Sequence, residues 1–123
     1  METLFEQIPT FSFNWYIVIA TFCFIVLDFA SGFAQACANQ EVKSEKLRNG
    51  LFHKCGFMLA IALGLLCEWT MQFVNIGFDV PVASAVCIYI ILTEIMSILE
   101  NLGKLSPTLA EAGFMSIFKK NGK

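Results

Sequence analysis

Three apolar stretches, each broken by a single carboxylate, decide which solvent this chain can fold in. They cover residues 13–38, 55–73 and 80–99. Crossing a hydrocarbon core of about 30 Å takes roughly 20 helical residues at about 1.5 Å each. The strictly apolar parts of the first two, residues 15–27 and 55–67, reach only about 20 Å by that rise. To cross, each must continue through an acid, Asp28 in the first and Glu68 in the second, and the third contains Glu94. Each crossing therefore places one carboxylate at or near membrane depth.

The expected form is helical. A lipid-exposed open strand leaves backbone groups without partners, and a closed barrel needs many alternating strands. No period-two alternation runs through these stretches. Pro81 stands at the start of the third, where a missing N–H costs little. Trp15, Tyr16 and Trp69 lie near stretch ends, where amphipathic rings favour the membrane interface. The expected fold is an all-α integral membrane protein with three transmembrane helices.

Composition excludes most other classes. Of the 123 residues 57% are hydrophobic and only 15% charged, against about 25% charged in soluble proteins. Thirteen phenylalanines are far too many to hide in so small a core. The net charge of −2 comes with no aromatic-interleaved basic patch, so nucleic acid is not an expected partner. Five singly spaced cysteines, Cys23, Cys37, Cys55, Cys67 and Cys87, make neither a disulfide framework nor a zinc site and are read as small buried hydrophobes. His53 stands alone beside Lys54 and reads as an interfacial side chain. With no phosphate loop, nucleophile elbow or metal motif, neither an enzyme nor a cofactor is expected.

The connections predict an orientation. Residues 1–10 hold Glu2 and Glu6 but no Lys or Arg, so they lack the basic region of a secretory signal, and the first stretch should persist as a helix. Residues 39–54 are polar and carry Lys43, Lys46, Arg48 and Lys54, while residues 70–79 carry no basic residue. Lys104, Lys119, Lys120 and Lys123 follow the third stretch. Basic residues favour the cytoplasmic side. The N-terminus and second loop are then outside, and the first loop and C-terminus inside. Residues 1–106 are expected to form one membrane domain and residues 107–123 a basic cytoplasmic tail. From Ser106, with Pro107 in its first turn, that tail suits a short interfacial helix presenting Leu109, Phe114, Ile117 and Phe118.

Polar and small residues form stripes within the spans. Asp28, Ser31, Gly32 and Gln35 recur at helical spacing and share one face. In the second span Gly56, Ala60 and Gly64 are spaced by four, with Glu68 and Gln72 continuing the row; in the third, Glu94, Ser97 and Asn101 share a face. Such stripes are helix-contact surfaces or walls facing water. Helical rise puts Asp28 and Glu94 at similar depth, with Lys54 the nearest cation and long enough to snorkel to either.

Three of these groups carry a resemblance. Asp28-Phe29-Ala30-Ser31-Gly32 with Ala36, then Ser44, Arg48, Gly50 and Lys54, then Thr93-Glu94 with Ser97 and Glu100-Asn101-Leu102-Gly103, resemble in order and spacing the toxin-secretion/phage-lysis holins (phage holin family 4). The resemblance runs from about Trp15 to Gly103. The high Phe and Cys content departs from the family pattern, as does Ser106, near where a further glycine is common. The resemblance implies a protein of the bacterial cytoplasmic membrane that homo-oligomerises and opens it, letting an endolysin or a toxin pass. It implies helix-contact or pore-lining roles for the stripe residues and a cytoplasmic loop motif at Ser44, Arg48, Gly50 and Lys54. The residues alone leave open a small ion or solute transporter subunit using intramembrane carboxylates, or a passive anchoring subunit.

Overall fold

A computed structural model describes residues 13–74, 76–77 and 79–110. The described residues form four helices and no strand: α1 (Trp15–Ala38), α2 (Ser44–Met71), α3 (Val82–Leu105) and a single turn, α4 (Pro107–Ala110). The first three are long and apolar enough to cross a membrane. The expected tail residues Phe114, Ile117, Phe118, Lys119, Lys120 and Lys123 lie outside the described residues.

Local chemistry sets the helix ends. Asn14 caps α1, its Oδ1 accepting the Tyr16 N–H at 3.1 Å. At the other end Gln40 adopts φ 55°. The Glu41 N–H then reaches Ala36 O at 2.8 Å and the Gln40 N–H reaches Cys37 O at 3.2 Å, the paired bonds of a Schellman turn. Pro81 precedes α3, and its carbonyl accepts from the Ala85 N–H at 3.0 Å.

The polar stretch expected as a connection over residues 39–54 is helical from Ser44 onward. Lys, Leu, Arg and Glu dominate its start, all good helix formers, and Glu45 sits favourably in the first turn of the helix dipole. Ser44, Arg48, Gly50 and Lys54 are thus residues of α2 and not of a loop. Charge marks where the chain leaves lipid, not where the helix stops.

α3 is the middle helix and packs along both others, while α1 and α2 meet each other little. α1 and α3 run the same way, with Asn39 at the end of α1 beside Lys104 at the end of α3. α2 runs against them, so Gly64 lies beside Ala83 and Lys54 beside Glu94.

The side chains are distributed inside out. Thr21, Asp28, Ser31, Gln35, Lys54 and Glu94 are buried, while Tyr16 is 84% exposed, Leu59 72% and Phe52 67%. Water would impose the reverse order. With lipid outside, the apolar faces are solvated and the polar groups must find partners within. They do: the Thr21 hydroxyl donates to Ile17 O at 2.7 Å, and among the described residues no buried side-chain nitrogen or oxygen lacks a partner. The described helices are those of a multi-pass membrane protein.

The same solvent corrects the reading of the cysteines. Only Cys87 is buried; Cys67 is half-buried, and Cys23, Cys37 and Cys55 are exposed. A thiol on the outer face of a spanning helix loses little in lipid, so nothing requires these side chains to be buried.

Candidate functional site

Each spanning helix gives one charged side chain to a common point. Lys54 Nζ on α2 donates to Asp28 Oδ2 on α1 at 2.6 Å and to Glu94 Oε2 on α3 at 2.9 Å. All three side chains are nearly inaccessible, at 9%, 11% and 2% exposure for Lys54, Asp28 and Glu94. The early start of α2 makes this possible: Lys54 lies about 15 Å along the helix from Ser44. A charge at that depth is stable only with a counter-charge in reach. The expectation that Lys54 meets one of the two acids is met by both.

A second polar contact lies beside the ion cluster. The Asn101 amide nitrogen on α3 donates to Asp28 Oδ1 at 3.1 Å, to Asp28 O at 3.3 Å and to Ser31 Oγ at 3.1 Å. Gly32 leaves the room this needs, since a Cβ there would lie 3.3 Å from the Asn101 nitrogen. One turn on, Asn39 Nδ2 donates to Gln35 Oε1 at 3.2 Å and to Lys104 O at 3.4 Å. Asp28, Ser31, Gln35 and Ala36 are buried and Gly32 is half-buried, so the expected α1 stripe is a single packed face.

At the opposite end of the bundle α2 and α3 touch through their backbones. A Cβ on Gly64 would stand 2.9 Å from Ala83 Cα. Glu68, one turn further along, accepts the Ala83 N–H at 3.2 Å, so this acid serves the start of α3. Gly56 faces outward, where an added Cβ would have nothing within 4 Å, and Ala60 is half-buried. The row of small residues is therefore split. A step of four residues advances about 40° beyond a full turn, so eight residues carry the row from the outer face to the α3 contact.

An open cavity of about 450 Å³ leads to the ion cluster at the basic end of the bundle. Asp28, Lys54, Ser97 and Gly50 line it, and so do the exposed residues Glu41, Lys43, Lys46, Glu100 and Lys104. In the sequence Lys43, Lys46 and Lys104 read only as loop and tail charges, Glu100 as part of the closing motif, and Glu41 carries no reading; the one signal that joins them is the interleaving of acid and base. Lys104 pairs with Glu100 at 3.4 Å across one helical turn. Arg48 is exposed and Ser44 begins α2, so of the four motif residues in this segment only Lys54 enters the ion cluster. Chemically, the site can tie three helices together and bring water close to buried charge.

Among known protein families, the bacteriophage holin family matches residues 9–112. No curated protein and no solved structure matches the chain.

Proposed function

Because the chain belongs to the bacteriophage holin family, a non-enzymatic family that permeabilises membranes, we propose that copies of it gather in the bacterial cytoplasmic membrane and open it to an endolysin or a toxin. The observation that carries this reading is the Asp28–Lys54–Glu94 cluster, which keeps polar helix faces closed on one another in a lipid-solvated bundle. Dispersed copies hide those faces. Above a critical density the faces turn to a shared water-filled space, exchanging internal pairing for hydration.

In this reading Asp28, Ser31 and Gly32 carry the helix contact, and Glu94, Ser97 and Asn101 brace it or line the opening. Gly64 and Glu68 hold α2 against α3. Outward-facing Gly56, with Ala60, offers a close approach to a second copy. The N-terminus lies outside and the basic end of the bundle in the cytoplasm, as the distribution of Lys and Arg supports.

Induced expression in bacteria tests the proposal, with membrane potential and release of a cytosolic reporter enzyme followed together. Loss of both is expected, and Asp28→Leu or Gly32→Leu should change the time at which it occurs. A collapsed potential with the reporter retained would favour an ion or solute channel. Neither event would leave an anchoring role.

A further inference from the structure

The ion cluster is unbalanced. It contains two carboxylates and one ammonium, so with every group ionised it holds one uncompensated negative charge. The charged and titratable groups around it come from all sides. α1 contributes Asp28, and the turn after α1 contributes Glu41 and Lys43. α2 contributes Lys46, His53 and Lys54, and α3 contributes Glu94, Glu100 and Lys104. Of these only Asp28, Lys54 and Glu94 are buried. Lys104 is 50% exposed and bonded to Glu100. Lys43 and Lys46 are exposed, and His53 packs edge-on against Phe57 at 4.5 Å. No second cation among the described residues reaches the carboxylates, and an unmatched charge in a low-dielectric interior is strongly unfavourable.

We propose that the closed bundle binds one proton on the Asp28–Glu94 carboxylate pair, and that releasing it loosens α2 from α1. The proton leaves a carboxyl oxygen for water in the adjoining cavity, which Asp28 and Lys54 both line. The cluster then passes from neutral to singly negative. The added charge favours hydration of the cavity. Because α1 and α2 meet little elsewhere, the Lys54–Asp28 bond is the tie that hydration weakens. The proton site rests on charge and geometry alone; its effect on leakage rests on the function proposed above.

The test uses the purified full chain in phospholipid vesicles. Infrared spectra across a pH series report the C=O band of a protonated buried carboxyl, and hydrogen exchange reports opening of the α2 backbone around Lys54. The wild type should show one titrating band. Replacing either acid by its amide restores neutrality without a proton, so Asp28→Asn and Glu94→Gln should each abolish the band. Glu68→Gln should retain it. Exchange around Lys54, measured relative to Glu94→Gln at the same pH, should rise about tenfold per pH unit as the proton is lost.

Absence of the band at every pH at which helicity persists would overturn the proposal. So would a band that survives in both amide variants, or one that appears only when choline replaces small cations, since a metal cation would then be the occupant. Exchange that ignores the titration would overturn the loosening. If band and exchange titrate together while vesicles never leak, the proton site stands and the permeabilising function fails.

Discussion

The two ends of the bundle are held by different physics. Toward the α2–α3 loop, Val18, Ile25, Ile61, Cys87 and Ile90 form an apolar cluster, and Gly64 lets α2 rest on Ala83 backbone to backbone. Toward the α1–α2 turn the contacts are an ion cluster, an asparagine amide bonded across helices and a 450 Å³ cavity. In lipid, apolar packing has no aqueous competitor to drive it, so the first end relies on dispersion and close approach. The second relies on polar groups whose alternative partner is water. Admitting water therefore leaves the first end nearly unchanged and offers the second a competing state. A protein built to persist closed and then open needs both kinds of end.

The largest expected effect breaks the polar end directly. Lys54→Met leaves Asp28 and Glu94 buried without a cation, and removing one partner of a buried ion pair costs about 3–5 kcal/mol. Loss of helicity during titration of a mild-detergent sample with a denaturing detergent measures it. Combining Lys54→Met with Asp28→Asn and Glu94→Gln should recover most of the loss. If Lys54→Met alone resists denaturant as the wild type does, the polar end is not held by charge.

A smaller effect breaks the apolar end. Gly64→Val drives a side chain into the Ala83 backbone, and overpacking of this kind costs about 1–3 kcal/mol. The obstructing atoms belong to the main chain and cannot rotate away. Gly56→Val sharpens the contrast. It meets open space within the chain, so denaturation should be unchanged, while cross-linking between copies should fall if Gly56 lies at their contact. Asn101→Leu tests the polar end more gently. One interhelical hydrogen bond in a bilayer averages about 0.6 kcal/mol, so losing the amide should cost about 1 kcal/mol in the same titration.

The difference between the ends also explains what the sequence could reveal. The three helices were legible because apolar length and lipid thickness leave little choice. The face of α1 was legible because Asp28, Ser31, Gly32 and Gln35 recur at helical spacing. That Asp28 and Glu94 lie level, with Lys54 in reach of either, followed from depth, since a buried charge must find a counter-charge at its own level; that one ammonium holds both acids was not legible. The start of α2 was not legible. Hydropathy reports the boundary of lipid, and a helix of Lys, Glu and Arg continues through it into water. Nor was the division of Gly56 from Gly64, because spacing by four is only an approximate period and the position of α3 decides which glycine is covered. The cavity was hidden for a related reason: it exists because α1 and α2 fail to meet, and sequence patterns report contacts more readily than gaps.

The smallest expected effect asks whether the two ends open separately. Gln40 holds φ 55° in the turn between α1 and α2, a conformation glycine adopts freely. The left-handed region costs a residue with a side chain about 1–2 kcal/mol. Glycine regains that and loses about half of it to the greater freedom of its unfolded chain. Gln40→Gly should therefore stabilise the Schellman turn by about 0.5–1 kcal/mol. If the polar end opens by itself, hydrogen exchange should slow in the turn and around Lys54 while the amides near Gly64 keep their rates. An equal slowing at both ends would mean one cooperative unit. Water entering beside Lys54 would then have to disrupt the Gly64–Ala83 contact as well, and the division of labour between the ends would not survive.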